Sequence, residues 1–310
     1  MNRAPRTLTV TVPSPQVLED LGPVPDGVEV LVWPMDGPAP RKRLDLVVVP
    51  YMSGGSGFRW LDGVETGVLQ GQSIGYDEVA VHLPPGRQFA NAASVHETAT
   101  SELALALVLA SQRRLPELVH AQAAQTWMQE RSTGLADQRV LLLGYGGVGK
   151  ATAARLAPFE VDLVPVATQA RDGDGVHVHG VDELPELLPH ADIVILTLPG
   201  GDATRHIVDD AVLAALPDGA LVVNVGRGSL IDTAALVDHA GRGRIRAALD
   251  VTDPEPLPAG HPLWASPGVL IAPHVGGLTA AMRPRAARLI RQQIERLLRG
   301  EAPLNVVIGG

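Results

Sequence analysis

The stretch Val140–Phe159, VLLLGYGGVGKATAARLAPF, decides the fold. Its first four residues are an apolar run that reads as a buried strand, and Gly144, Gly146 and Gly149 follow at once as G-x-G-x-x-G at the start of a helix. In that strand-turn-helix setting the first glycine permits a tight turn and the second lets the backbone approach a pyrophosphate. The third lets the helix close on the strand, and the phosphates meet the unpaired amides of the helix N-terminus, here those around Gly147 and Val148. The stretch therefore points to a dinucleotide site on a parallel α/β sheet.

Working outward, the alternation continues. Strands are expected at 161–166, 176–179, 193–197, 221–224, 247–251 and 269–271, with helices at 148–156, 184–188, 209–215 and 233–239. Near-continuous apolar strands separated by short helices imply a parallel sheet covered on both faces. Upstream, residues 98–127 contain no Gly and one Pro, and read as one long helix, buried at its start and amphipathic later. Residues 8–12, 28–32, 44–49 and 69–72 read as short strands among Pro, Gly and Asp clusters, with a helical piece at 16–21, which makes a second α/β unit. An Arg-rich amphipathic helix at 280–299 precedes the tail LNVVIG, whose β character is most simply used to complete that first unit. The expected fold class is α/β with two doubly wound parallel-sheet domains: 98–282 for the dinucleotide, inserted into a discontinuous domain of 1–97 and 283–310.

Composition narrows the chemistry. The 310 residues include no Cys, so there is no disulfide framework, zinc-thiolate site or thiol nucleophile. A formal net charge of −9 argues against a nucleic-acid partner, which would call for a basic face. No run of about 18 apolar residues suggests a membrane span, and no signal peptide is visible, so a cytoplasmic protein with a small-molecule partner is expected. His177 and His179 share one strand face, but with no third ligand apparent they read as an ordinary strand, and no metal is expected. Arg41–Lys42–Arg43 reads as a solvated loop, and Ser53–Ser56, SGGS, as a mobile substrate loop.

The second strand of the dinucleotide unit, VDLVPVATQAR, ends at Ala167, Thr168 and Gln169. An acid that would hold the ribose hydroxyls of NAD is missing there, while Thr168 and Arg171 could take a 2′-phosphate, so NADP is preferred and NAD remains possible. Three further segments each follow a strand of the parallel sheet: NVGRGSLID (224–232), ALDVTDPEPLPAGHPLW (248–264) and APHVGG (272–277). That edge is where such sheets bind ligands. It gathers Arg227, Asp250, Glu255 and His274, a cation, two acids and an imidazole: the Arg can clamp a carboxylate, the His can pass a proton at neutral pH, and the Glu beside it can hold its tautomer and raise its pKa. Jointly they describe reduction of a carbonyl.

Together with ADIVILTLP (191–199) and TRHIV (204–208), these segments resemble the D-isomer-specific 2-hydroxyacid dehydrogenases, in order from about Ser73 to Gly277. The resemblance implies a Rossmann cofactor domain inserted into a flavodoxin-like split catalytic domain, and usually a homodimer formed through the inserted domain. It implies Arg227, Glu255 and His274 as catalytic, and Asp250 bonded to the nicotinamide carboxamide. Leu198, Pro199, Thr204, Val225 and Gly277 would line the cofactor. Ile74 and Gly75, in SIGYD, resemble the loop whose amides receive the substrate carboxylate, and Tyr51 and Met52 would line the substrate side. Two departures stand out: the missing ribose acid, and a GRIRAALD connection one residue shorter than usual. The implied activity is that of an NADPH-preferring 2-ketoacid reductase of the glyoxylate/hydroxypyruvate type, with His274 as acid and base. The alternative is an NAD(P)-sensing, corepressor-like binding protein on the same scaffold.

Overall fold

Six short elements open the chain's computed structural model, which describes residues 7–173 and 175–309: β1 (Leu8–Val12), α1 (Pro15–Leu21), β2 (Val28–Val32), β3 (Arg43–Val48), β4 (Glu65–Gln70) and α2 (Asp77–His82). With β5 (Gln88–Ala90) the strands form a parallel sheet in the order β5-β4-β3-β1-β2. Apolar residues alternate across it, Val47 and Val49 packing on one side with Phe58 and Leu61, Leu46 and Val48 on the other with Leu21 and Ile290. Arg41 pairs with Glu29 and Arg43 with Glu65, so two of the three cations in the basic triplet are locally neutralised. The chain divides into two compact units: this one, up to His96 and again from Ala280, and a second of Glu97–Thr279.

The second unit opens with a correction. The expected long helix is two helices, α3 (Glu97–Gln112) and α4 (Leu115–Ala123), with Arg114 between them in the left-handed region at φ 54°. Pro116 is the cause: its ring would meet the carbonyl of Gln112 one turn back, and it has no N–H to give. In the first turn of a new helix the same proline costs nothing.

The chain continues through β6 (Arg139–Leu143), α5 (Gly147–Leu156), β7 (Asp162–Ala167), β8 (Arg171–Gly173), β9 (Val176–Gly180), α6 (Leu184–Leu187), β10 (Ile193–Leu196), α7 (Asp210–Ala215), β11 (Leu221–Asn224), α8 (Thr233–Gly241), β12 (Arg246–Leu249) and β13 (Val269–Ile271). The strand order is β13-β12-β11-β10-β6-β7-β9-β8, parallel except where β8 runs against β9. Chain direction through the sheet reverses at β6 and β10, which places a ligand crevice at the carboxyl ends of those strands. Leu141, Leu143, Val194 and Val222 bury into one helical layer, Leu142, Ile193, Ile195 and Val223 into the other, so apolar runs were needed on both faces. The short β8 was not expected; its residues Arg171–Gly173 are exposed and only backbone pairing makes them a strand. The connection before β12 turns at Gly243, φ 70°, and β12 keeps unbroken register with β11.

The return arm is α9 (Met282–Leu298) and β14 (Val306–Ile308), the latter antiparallel to β5 at the edge of the first unit's sheet. A buried amide pair fastens it. Gln293, fully buried, donates to Gln70 Oε1 at 2.7 Å and to the Leu304 carbonyl at 3.0 Å, while its own oxygen accepts from the Leu304 amide at 2.9 Å. Gln70 in turn donates to the Gly71 and Asn91 carbonyls. Among the described residues, no helix is long and apolar enough to cross a membrane.

Replacing Gln293 with Leu leaves three buried polar groups without partners, each such loss costing about 1–3 kcal/mol. Gln293→Leu is therefore expected to lower stability by about 2 kcal/mol or more, read as a shifted urea midpoint; an unchanged midpoint would show that the arm is held by apolar packing alone.

Candidate active site

The glycine-rich turn is built for close approach. Gly144 sits at φ 100°, where a side chain would also press on Thr197 and Leu198, and a Cβ at Gly149 would collide with the Gly144 carbonyl. Thr197 Oγ1 donates to that same carbonyl at 2.9 Å. At Gly146, by contrast, an added Cβ meets nothing within 4 Å, and this residue caps α5 without a side-chain acceptor. The first-turn amides of α5, around Gly147, Val148 and Gly149, thus have no side-chain cap, an arrangement that fits the pyrophosphate of a dinucleotide.

At the end of β7 the chain turns through exposed Thr168 and Gln169 into β8, whose first residue is Arg171. Arg171 is exposed, and among the described residues its Nη1 reaches the Gln169 carbonyl at 3.5 Å. No carboxylate occupies residues 167–171, as the sequence states. Leu198 and Pro199 follow β10, and Thr204 closes their loop by donating to the Pro199 carbonyl at 2.8 Å. Val225 is buried directly after β11, its amide donating to the Leu196 carbonyl.

NVGRGSLID folds by local satisfaction of backbone groups. Asn224, fully buried, accepts from the Gly226 amide at 3.0 Å and donates to the Arg227 carbonyl at 2.8 Å, which sets the backbone on both sides of the arginine. Gly228 is required because a Cβ there would collide with the Thr252 carbonyl. Asp232 then caps α8, accepting from the Ala234 and Ala235 amides. Sequence reading missed Asn224; a polar residue ending an apolar strand was the available signal.

Asp250, at the end of β12, is 4% exposed and accepts from the Val275 amide at 2.7 Å and the Gly276 amide at 3.0 Å. Its own carbonyl accepts from the His274 amide at 2.7 Å. These bonds hold His274 in the left-handed region at φ 53°, and Gly277 follows three residues on in the same loop. Burial pushes the Asp250 carboxyl above the ordinary aspartate range, against the pull of the two amides. His274 Nδ1 and Glu255 Oε1 are hydrogen-bonded. That bond raises the His274 pKa above the ordinary imidazole value, overcoming a downward push from burial and from Arg227. Burial acts to raise Glu255, but His274, the Thr252 amide and Arg227 together hold it below the ordinary glutamate range. With Nδ1 committed to the carboxylate, Nε2 is the nitrogen left to exchange a proton.

The remaining candidates lie in the first unit, after β3 and β4. Tyr51 stacks on His96 with ring centroids 5.9 Å apart, and Met52, at φ 52°, is 55% exposed. Residues 53–56 wind through a turn closed by the Ser56 amide on the Ser53 carbonyl and lead to buried Phe58. Asn91 donates to the Ile74 carbonyl at 2.8 Å, fixing the backbone that runs into Gly75. Buried His96, which sequence reading did not single out, bonds through Nε2 to the Gln72 carbonyl at 2.6 Å.

Residues 105–276 match the family model for the D-isomer specific 2-hydroxyacid dehydrogenase, NAD binding domain. The chain belongs to the D-isomer specific 2-hydroxyacid dehydrogenase family. Human glyoxylate reductase/hydroxypyruvate reductase is 30% identical over 291 residues, covering 88% of this chain and 89% of that one. An uncharacterized protein in the proB 3′ region of Corynebacterium melassecola is 36% identical over 224 residues, 69% of this chain and 72% of its own. A D-isomer specific 2-hydroxyacid dehydrogenase from Xanthobacter autotrophicus Py2, solved in complex with NADPH and MES, superposes with a TM-score of 0.82 at 28% identity over 98% of each chain. This dehydrogenase is accordingly an NAD(P)-dependent oxidoreductase acting on the CH–OH group of 2-hydroxyacids.

The His274 and Glu255 shifts have opposite linkage signs. The raised histidine contributes stability fully below about pH 6.5 and loses it as pH rises through its folded pKa; the depressed glutamate contributes above about pH 4.3 and loses it as pH falls through its own. The pair is thus most stabilising between those values. Glu255→Gln is expected to lower the His274 pKa, measured by NMR titration of the imidazole; an unmoved titration would show that Glu255 does not set its charge.

Proposed function

We propose that this dehydrogenase is an NADPH-preferring 2-ketoacid reductase for small acids of the glyoxylate and hydroxypyruvate class, and equally a D-2-hydroxyacid dehydrogenase in reverse. The observation that carries the reading is the Glu255–His274 pair, an imidazole tied through Nδ1, biased toward its charged form and free to act at Nε2. Arg227 binds the substrate's carboxylate and polarises its carbonyl oxygen. His274 donates the Nε2 proton to that oxygen as negative charge develops, and takes it back in the oxidative direction. Bound nicotinamide supplies or accepts the hydride. In this reading the Glu97–Thr279 unit is the cofactor domain and the other the substrate domain.

Asp250 orients the carboxamide, and the amides from Gly144 to Gly149 hold the pyrophosphate. Leu198, Pro199, Thr204, Val225 and Gly277 line the cofactor. In the substrate domain, the amides of Ile74 and Gly75 receive the substrate carboxylate, with Tyr51 and Met52 beside them. Preference for NADPH rests on Thr168 and Arg171 where a ribose-binding acid would otherwise stand, and the Xanthobacter relative bound to NADPH supports it. A homodimer through the cofactor domain is supported by α4 and the segment after it, which expose Leu115, Leu118, Val119 and Trp127.

His274→Ala is expected to lower kcat with glyoxylate or hydroxypyruvate by about 10²–10⁴-fold while the Kd for NADPH stays within twofold. Turnover that survives in this variant would remove the acid–base role. KM for NADPH is expected to be below that for NADH, and Arg171→Ala to raise the former about tenfold with little change in the latter, as for one lost charge-assisted contact. A native preference for NADH would overturn the cofactor reading. Val119→Asp should shift the sedimentation mass toward monomer; a dimer that persists unchanged would place the interface elsewhere.

A further inference from the structure

The glycine-rich turn has an acid lying on it that the proposed reaction does not use. Glu97 opens α3, and its side chain packs on Gly147, the first residue of α5: a Cβ added at Gly147 would stand 3.1 Å from both Cγ and Oε1 of Glu97 and 3.5 Å from Cδ. Both residues belong to the second unit. Helix packing puts them together. α3 lies along α5, with Glu102 Oε1 3.7 Å from Arg155 Nη2 further down, so the two N-termini sit side by side. Gly147 is what admits the glutamate, since a side chain there would press on it.

An acid in the first turn of its own helix is ordinary, because the amides there carry partial positive charge. Glu97 does more than that. It also stands at the start of α5, where the proposed function puts a pyrophosphate on the amides from Gly144 to Gly149. Residues 144–150 contain one cation, Lys150, whose Nζ lies 6.0 Å from the centroid of the Tyr145 ring. Glu97 sets one negative charge against that positive one, so together the two side chains offer a pyrophosphate no net attraction. The hold then falls to backbone amides and the helix dipole, and like charges brought to the same few amides repel.

We propose that Glu97 weakens the hold of the glycine-rich turn on the dinucleotide's pyrophosphate, and so sets cofactor affinity and hastens release of the spent cofactor. This rests on the proposed place of the pyrophosphate at Gly144–Gly149. Glu97 touches no reacting atom; it acts on binding through its charge. NADPH and NADH carry the same pyrophosphate, so Glu97 acts on both alike. Arg171 differs, its proposed contact being with the 2′-phosphate that NADPH alone carries. Release of product is often the slow step of a turnover, which is where a weaker hold counts.

The test is titration of the full-length protein with NADPH and with NADH, followed by cofactor fluorescence, in the native, Glu97→Gln and Glu97→Ala forms. Gln keeps the shape of the side chain and removes its charge, whereas Ala removes both. At about 0.01 M salt, where charges act over about 30 Å, each variant is expected to lower Kd about tenfold for both cofactors, with slower dissociation in stopped flow. At about 1 M salt, where the range falls to about 3 Å, the gap from the native protein should narrow. A Kd unchanged or raised in Glu97→Gln, a gain confined to NADPH, or a gap that salt does not narrow overturns the proposal. A native chain that binds neither cofactor overturns the cofactor reading and the proposal with it.

Discussion

The carboxylate of Asp250 is the interaction on which the carboxyl edge of the second sheet depends. A parallel strand that ends leaves amides and carbonyls unpaired, and at this edge they belong to the loops that carry function. Asp250 takes two amides from the loop after β13, and its carbonyl takes a third, from His274 itself. One strand away Asn224 does the same for the backbone flanking Arg227. Arg227 and His274 are therefore carried on hydrogen-bonded backbone, although they stand on loops. The cost is visible in Asp250, whose burial pushes its pKa upward even with two amide donors on it.

A different constraint governs the first unit. Its sheet is assembled from two distant pieces of chain, and without β14 the outer side of β5 would be an open edge, a template for unwanted pairing. A three-residue antiparallel strand is too short to secure itself by its own ladder. Gln293 and Gln70 supply what the ladder lacks, a set of buried amide bonds that are satisfied only when α9, the turn at Leu304 and β4 are together. Because a buried amide left alone is costly, the pair rewards one register and penalises others.

These features differ in how far they can be read from sequence. β1, β2, β11 and β13 fall on their expected residues because each is rich in Val, Leu or Ile and bounded by turn formers, where local and tertiary demands agree. The break after α3 was missed because helical periodicity continues across it, whereas the effect of Pro116 is a single steric clash one turn back. β8 could not be read at all, since Arg-Asp-Gly becomes a strand only through pairing with β9. The pairing of Glu255 with His274 was foreseen, whereas the buried Asn224 was not, its side chain acting on backbone rather than on chemistry. Glu183 was overlooked as a partner of His179 for a related reason: the two stand in different elements, a strand and the turn after it, so no single periodicity links them.

The charge on His274 is where these constraints meet the chemistry. With no cysteine and only two lysines, at positions 42 and 150, the proposed proton transfer falls to imidazole and the proposed carboxylate binding to guanidinium. The proposed proton donor must be charged before a ketone arrives, yet burial and the neighbouring Arg227 both favour neutral imidazole. The contact with Glu255 outweighs them, and Asp250, placed for structural reasons at the end of β12, adds in the same direction. The carboxylate that fixes the loop thus also biases the proton. A neutral amide at position 250 could still accept a backbone hydrogen bond, but it could not add that charge, which is a physical reason for an acid in a place where burial works against it.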